Sequence, residues 1–237
     1  MTHVFHKHGV RHVFHDMDGE TGRWFKDAFA TWEDDTFTIF EQVKNKEATA
    51  IDIGAWIGTT SIWLSNNFKN VVAVESDPVS VDFLKRNLTA SDCYNVTICE
   101  QPISNVLKDV VFGPRHQNLN ESMSHIKEQV NSPHDVTMRT ITLDGLAIPE
   151  DSRVSFIKCD IEGGEEVILD DILKYCLTHN AQAFVSFHLA WWADKNISRF
   201  SDLFMQFTTN VSDPIRYIGQ ENGFGSVLFT PIRSYDR

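Results

Sequence analysis

The sequence predicts a doubly wound α/β fold, in which helices cover both faces of a mostly parallel β-sheet. Apolar runs of strand length recur along the chain, at 48–53, 71–75, 95–99, 154–160 and 183–188. Stretches with helical spacing of apolar residues follow several of these runs, as at 60–68. Strands that alternate with helices in this way form parallel sheets, because a crossover helix is needed to return the chain to the same edge.

The first elements form an N-terminal extension of residues 1–46. The motif His-Val-Phe-His occurs at His3–His6 and again at His12–His15. Alternation of histidine with apolar residues favours a short hairpin with one wet face over a metal site. Two amphipathic helices are then expected between Trp24 and Val43, before the first strand of the sheet.

The later elements continue the alternation and close the sheet. Pro78 is expected to open a helix, since proline is tolerated in a first helical turn. Residues 112–136 are polar with little periodicity, and we expect a mobile loop that covers the substrate. Two apolar stretches around a glycine-rich turn, Pro214–Ile218 and Ser226–Phe229, predict an antiparallel C-terminal hairpin. No linker divides the chain, so we expect one domain over residues 1–237.

Composition limits the classes of function. The formal net charge is −12, which disfavours nucleic-acid acceptors because their binding draws on Lys and Arg. The four cysteines show no zinc-ligand spacing, and no apolar run is long enough to span a bilayer. Without a signal-like N-terminus, the expectation is a cytoplasmic protein whose oligomeric state the sequence leaves open.

A glycine turn after the first strand predicts a nucleoside site. The turn runs from Asp52 through Gly54 to Gly58, and Glu75 ends the next strand. An acid about 20 residues after the first glycine is placed to bind ribose hydroxyls. An acid inside the turn would repel a diphosphate, and it suits the cationic amino group and sulfonium of S-adenosylmethionine. A nicotinamide-dependent oxidoreductase would need G-x-G-x-x-G, which is absent here.

Polar residues stand at the ends of four predicted strands: Asp52, Glu75, Asp160 and His188. In an open parallel sheet, ligands bind beyond the carboxyl ends of the strands, so these side chains are expected to converge. The acids of the second half argue against a non-catalytic nucleotide-binding module, which would not need them.

Four blocks of the sequence resemble the FkbM-type S-adenosylmethionine-dependent methyltransferases of class I. They are 51–58 (IDIGAWIG), 74–78 (VESDP), 142–144 (TLD) and 157–165 (IKCDIEGGE). The resemblance covers about residues 32–188, and its most specific part is the last block. Family members commonly have Glu where Ser186 stands, which is a departure on the substrate side.

The resemblance implies O-methylation of a hydroxyl, most often on a sugar or glycan. Asp160, Glu162 and His188 are the implied catalytic residues, with His188 as a general base or, together with Asp160, as a ligand to a divalent metal. We prefer the metal-free alternative, since hard cations want several oxygens. The implied cofactor-binding residues are Glu33, Asp52, Gly54, Ala55, Trp56, Gly58, Thr59, Glu75, Ser76 and Ile103.

Overall fold

A computed structural model describes residues 2–15, 27–115, 124–210 and 224–232. The strands in chain order are β1 (Thr2–Lys7), β2 (Val10–His15), β3 (Asn45–Ile53), β4 (Phe68–Val74), β5 (Val96–Cys99), β6 (Asp109–Pro114), β7 (Ser124–Lys127), β8 (Val136–Arg139), β9 (Val154–Cys159), β10 (Gln182–His188), β11 (Phe207–Thr209) and β12 (Phe224–Pro231). The helices are α1 (Asp34–Val43), α2 (Thr59–Asn67), α3 (Pro78–Ala90), α4 (Glu165–His179) and the short α5 (Ser201–Phe204).

A seven-stranded sheet confirms the predicted doubly wound fold. Its strand order is β11-β12-β10-β9-β3-β4-β5, and the five strands from β10 to β5 are parallel. The chain runs from β3 outward to β4 and β5, and later from β9 outward to β10, so the winding direction changes between β3 and β9. Such a switch point opens a crevice at the carboxyl ends of the strands.

Two apolar clusters cover the two faces of this sheet. Successive strand residues point to opposite faces, so Ile51 and Ile53 pack with α4 while Ala50 packs with α1, α2 and α3. Because both faces are buried, the central strands are continuous apolar runs, which is why they were visible in the sequence. On the second face, Phe40 lies between Trp63 and Phe156 at ring-centroid distances of 5.7 and 5.3 Å.

The N-terminal hairpin was predicted correctly. β1 and β2 pair antiparallel, and β2 packs on α2 and α3. His12 is fully buried, with its ring nitrogens 3.1 Å from the Val10 carbonyl oxygen and 3.2 Å from that of Thr59. Burial lowers the pKa of His12 to about 4, which identifies it as a neutral core histidine. Of the first predicted helix, residues 24–26 lie outside the described residues and 29–33 form turns, so this helix differs from the prediction; α1 is the second predicted helix.

The polar segment 112–136 differs from the prediction. Its described parts contribute to a three-stranded antiparallel sheet of order β7-β6-β8, and only residues 116–123 lie outside the description. Backbone hydrogen bonds between short strands form this sheet. Strands this short carry little apolar periodicity, so the sheet was not visible in the sequence. The prediction of a loop throughout 112–136 is therefore wrong, while the mobility of the segment stays a prediction.

The C-terminal end of the sheet is antiparallel, as predicted. β12 runs between β10 and β11 and pairs antiparallel with both. The predicted partner strand, 214–218, lies outside the described residues, and β11 occupies the edge position. Over the ranges that the structure describes, no helix has the length and apolar content needed to cross a bilayer.

Candidate active site

A cavity of about 290 Å³ opens at the carboxyl ends of the parallel strands. Its floor is formed by residues that follow β3, β4 and β9, and β6 and β7 of the small sheet form one wall. The volume is near the lower end of the ~300–1,000 Å³ range of small-molecule sites. The cavity therefore lies where the strand order places a ligand.

The glycine turn after β3 forms one side of the cavity. Gly54 has φ +79°, and a Cβ atom at this position would lie 1.8 Å from the backbone oxygen of Asp160. The amides of Gly54 and Ala55 both donate to the Val74 carbonyl, at 2.9 and 3.1 Å. Only glycine allows the β3 and β9 ends to approach this closely, so the residue is required by geometry.

Glu75 occupies the end of β4 at the cavity wall. One carboxylate oxygen accepts the amide of Trp56 at 2.8 Å, and the other accepts the amides of Ser76 and Asp77, both at 2.8 Å. Burial raises the pKa of Glu75 to about 7 despite these bonds. Glu75 thus ties the turn after β3 to the turn after β4 and presents an acceptor group to the cavity.

Asp52 does not line the cavity, contrary to the expectation of a carboxylate that faces a cofactor. It is fully buried, and its Oδ2 accepts the hydroxyls of Thr60 and Ser61 at 2.8 and 2.6 Å. Its Oδ1 lies 3.2 Å from Lys158 Nζ, which also donates to the Gly54 carbonyl at 2.6 Å. Asp52 is therefore neutralised by Lys158, and the pair supports the glycine turn from beneath.

The other implied cofactor residues divide into three groups. Gly54, Trp56, Glu75, Ser76 and Ile103 line the cavity. Ala55, Gly58 and Thr59 lie beneath it in the turn that begins α2, and Thr59 uses its carbonyl to bind His12. Glu33 is not among the residues that line the cavity; it is partly buried and directly precedes α1.

Four ionisable side chains meet at the other end of the cavity. His188 Nε2 lies 3.4 Å from Glu162 Oε2 and 3.7 Å from Asp160 Oδ1. Its Nδ1 lies 3.0 Å from Oε1 of Glu165, a fully buried carboxylate. The structure thus brings together the three implied catalytic residues and adds Glu165. Glu165 is the last residue of the 157–165 block, but no role was predicted for it, because the helix dipole already explains an acid in a first helical turn.

The cluster holds His188 in its charged form. The hydrogen bond to Glu165 and the nearby carboxylates outweigh burial and raise the pKa of His188 to about 9. Burial is the main cause that raises the pKa of Glu162 to about 7. At neutral pH His188 is therefore an imidazolium, and Glu162, with a pKa of about 7, is partly protonated.

The same cluster contains the atoms of a possible metal site. Ligand atoms of Asp160, Glu165 and His188 lie within 4.8 Å of one another. However, both oxygens of Glu165 already accept N–H donors: Oε1 accepts from Ile161 and His188, and Oε2 accepts from Gly163 and Trp192. A metal would have to displace these donors, so the residues fit an ion poorly.

Trp191 and Arg115 complete this end of the cavity, and neither was predicted from the sequence. The Trp191 ring stacks on His188 with centroids 5.3 Å apart and planes 6° apart. The Arg115 guanidinium lies 4.2 Å from the Trp191 ring centroid and donates to the Glu162 carbonyl at 2.8 Å. The small sheet thus reaches the ionisable cluster through Arg115.

The small sheet also contacts the other end of the cavity. Ser124 Oγ donates to Asp77 Oδ2 at 2.8 Å, while Asp77 Oδ1 caps α3 by accepting the amides of Val79 and Ser80. This segment was expected to cover only the substrate. Its described part instead contacts the Glu75 end through Ser124 and the His188 end through Arg115.

Two residues that line the cavity have strained backbone. Trp56 and Glu162 both adopt left-handed backbone, with φ of +48° and +56°. Left-handed backbone is uncommon for residues other than glycine and is often found at functional sites.

Comparisons with known proteins agree with this geometry. The methyltransferase FkbM domain matches residues 52–206, more than half of the chain. The crystal structure of methyltransferase FkbM from Methylobacillus flagellatus KT has a TM-score of 0.51 and 14% identity, and the match covers 78% of this chain and 44% of that one. The O-methyltransferase TomG from Streptomyces achromogenes, in complex with SAM, also has a TM-score of 0.51, with 11% identity over 90% of this chain and 86% of that one.

A shorter sequence similarity is found with the probable ribosomal RNA small subunit methyltransferase A of Methanosphaera stadtmanae. It has 29% identity over 85 residues, 36% of this chain and 28% of the relative. The chain thus spans less than half the length of this relative and of the Methylobacillus structure. The family match and the fold together show that the chain belongs to the FkbM family of S-adenosylmethionine-dependent methyltransferases, with a class I methyltransferase fold.

Proposed function

We propose that this protein is an S-adenosylmethionine-dependent O-methyltransferase whose acceptor is a hydroxyl group, on a sugar or glycan. The observation that supports this most is one cavity with Glu75 at one end and Asp160 and Glu162 at the other, where His188 contacts both of these carboxylates. One end suits a ribose, and the other suits a group that loses a proton.

The chain's own residues would bind the cofactor as follows. Glu75 would accept hydrogen bonds from ribose hydroxyls, Ser76 and Ile103 would border the base, and the Gly54 turn would border the methionine end, since all of these residues line the cavity. When bound, S-adenosylmethionine supplies the methyl group for in-line transfer to the acceptor oxygen. The protein's contribution is then to orient the two molecules and to remove the hydroxyl proton.

The division of charge supports Glu162, rather than His188, as the group that accepts the hydroxyl proton. An imidazolium held by Glu165 has no lone pair with which to accept a proton. Glu162 lies 3.4 Å from His188 Nε2, and its raised pKa near 7 suits a base that works at neutral pH. His188 then stabilises the carboxylate form of Glu162 and Asp160, and no metal is required.

Two features support a sugar or small-molecule acceptor. The formal charge of −12 opposes binding to a phosphate backbone, and the carboxylates at the cavity add to this locally. The carboxylates of Asp160 and Glu162 line the acceptor end, where their oxygens can accept hydrogen bonds from the hydroxyls of a sugar. The similarity to a ribosomal RNA methyltransferase makes a nucleic-acid acceptor the alternative that an experiment must exclude.

Calorimetry with S-adenosylmethionine, S-adenosylhomocysteine and NAD tests the cofactor. We expect the first two to bind and NAD not to bind. Glu75→Gln should weaken the binding of S-adenosylhomocysteine by about tenfold or more, which corresponds to the loss of one charge-assisted hydrogen bond. Glu100→Gln is the matched control, because Glu100 is exposed and pairs only with the exposed Lys85 among the described contacts. Equal affinity in parent and Glu75→Gln would remove Glu75 from the site.

A labelled-methyl screen tests the acceptor. Sugars, glycans and ribosomal RNA are offered with the labelled donor, and label is expected in a carbohydrate and not in RNA. Label in RNA alone would overturn the acceptor class. EDTA should leave the activity intact, and activity that EDTA abolishes and Mn²⁺ restores would overturn the metal-free reaction.

A further inference from the structure

Arg115 reaches the reaction end of the cavity from the small sheet. It directly follows the last residue of β6 and lines the cavity. Beside it, Pro114 pairs with Ser124 of β7, whose hydroxyl donates to Asp77 Oδ2 at the N-terminus of α3 at 2.8 Å. The strand pairing and this hydrogen bond fix the backbone from which the arginine side chain extends. Arg115 therefore belongs to an element that is anchored to the rest of the fold.

The Arg115 guanidinium binds one end of the peptide group that joins Glu162 to Gly163. Nη2 of Arg115 donates to the carbonyl oxygen of Glu162 at 2.8 Å. At the other end of the same peptide group, the amide of Gly163 donates to Oε2 of Glu165 at 3.0 Å. Hydrogen bonds in which one partner is charged are stronger than those between neutral groups. The two bonds therefore fix the orientation of this peptide group and, with it, the backbone of Glu162.

The peptide group needs this support because the backbone around it is strained. Glu162 has φ +56° and Gly163 has φ +103°, and left-handed backbone is unfavourable for a glutamate. The packing is also close, since a Cβ atom on Gly163 would lie 2.9 Å from Cβ of Trp191. Without the bond from Arg115, we expect the peptide group to turn and the Glu162 side chain to change its direction.

Arg115 also contacts the ring that packs on His188. Its guanidinium carbon lies 4.2 Å from the ring centroid of Trp191, and that ring stacks on the His188 imidazole with centroids 5.3 Å apart. His188 Nε2 in turn lies 3.4 Å from Oε2 of Glu162. One side chain thus supports Glu162 through its backbone and supports the partner of its carboxylate through Trp191.

We propose that Arg115 is a positioning residue for methyl transfer, which holds the Glu162 carboxylate in the arrangement that the reaction needs. It acts through Glu162, directly and by way of Trp191 and His188, and not on the acceptor. The small sheet then contributes to the reaction as well as to the cavity wall. The inference rests on the proposed role of Glu162 as the base, since the direction of this carboxylate matters to the reaction only if it accepts the proton.

Nuclear magnetic resonance of the His188 imidazole tests the geometry without an acceptor. Protons stacked on an indole are shifted upfield by its ring current, and this shift declines steeply as the two rings separate. In Arg115→Ala we expect the His188 ring protons to move downfield, because Trp191 loses the group that packs on it. Arg139→Ala is the matched control, because Arg139 lies in the same small sheet but is exposed and pairs with the exposed Asp109. An unchanged His188 signal in Arg115→Ala would overturn the inference.

Kinetics test the consequence, with the labelled methyl donor and the acceptor that the labelled-methyl screen identifies. We expect Arg115→Ala to lower kcat about 10- to 100-fold, as for a misplaced reacting group. The KM of the acceptor, and the affinity for S-adenosylhomocysteine by calorimetry, should change by less than about twofold. Arg115→Lys keeps a cationic donor for the Glu162 carbonyl and should recover part of the lost kcat. A higher KM at unchanged kcat would show that Arg115 binds the acceptor instead, and would overturn the inference.

A double-mutant cycle separates positioning from a general structural role. If Arg115 acts through Glu162, adding Arg115→Ala to Glu162→Gln should lower kcat no further, whereas additive losses would overturn the inference. If Arg115→Ala does not fold, Arg115→Gln replaces it in all of these measurements, with the same expected results. A parent chain that does not bind S-adenosylmethionine, or Glu162→Gln with the turnover of the parent, would refute the proposed function itself, a result distinct from these.

Discussion

Replacing His188 with asparagine tests whether the imidazole is charged at neutral pH. The asparagine amide nitrogen stands close to where Nδ1 stands, so the hydrogen bond to Glu165 can be kept while the charge is lost. The folded chain holds the His188 proton up to a pKa of about 9, and the unfolded chain up to 6.5. That difference corresponds to about 3 kcal/mol of free energy of unfolding.

The sign of this contribution follows from proton binding. Below 6.5 the histidine is protonated in both states, and the favourable pairing with Glu165 is fully present. Between 6.5 and about 9 only the folded chain binds the proton, so stability falls as pH rises. The free energy of unfolding of the parent minus that of His188→Asn should therefore be about 3 kcal/mol larger below pH ~6 than above pH ~9.5.

Urea unfolding of both proteins across this pH range gives the measurement. Taking the difference between the two proteins removes the other titrating groups to a first approximation. His6→Asn, at an exposed position of β1, is the control and should leave the free energy of unfolding nearly unchanged. A difference between parent and His188→Asn that is constant from pH ~6 to pH ~9.5 would refute the charged imidazole and return His188 to the role of general base.

Three further predictions concern the cavity and its support. Gly54→Ala and Gly9→Ala both place alanine at positive φ, at a cost of about 1 kcal/mol each, but only the Cβ at Gly54 meets backbone. S-adenosylhomocysteine binding by calorimetry should be lost in the first and kept in the second; similar affinities would contradict the steric argument. Lys158→Met should lower the free energy of urea unfolding by about 3–5 kcal/mol, because it leaves the Asp52 carboxylate buried without a cation. Asp52→Leu in the same chain should recover most of this loss, and no recovery would show that the pair is not coupled. Glu162→Gln should lower turnover about 100-fold or more with S-adenosylmethionine affinity within about twofold, and parent turnover should rise with pH through about 7. A pH-independent turnover would exclude Glu162 as the base.

The position of the site could be predicted from the sequence because its signals are local. Strands buried on both faces must be apolar throughout, so β3, β4, β9 and β10 were visible as apolar runs. The turn after β3 needs a residue without a side chain, which identified Gly54. Glu75, Asp160 and His188 end such runs, and a parallel sheet brings the ends of its strands to one edge.

The partners of these residues were decided only by the tertiary structure. Asp52 was expected to face a cofactor, yet the chain buries it against Lys158, which comes from a neighbouring strand. Glu165 had an adequate local explanation as a first-turn acid, and only the packing of α4 beside β10 brings it to His188. Arg115 reaches Glu162 from the separate small sheet. The protonation state of a charged side chain depends on the groups around it, and here those groups come from distant parts of the chain. Local sequence patterns therefore determine where the site lies, but not which group accepts the proton.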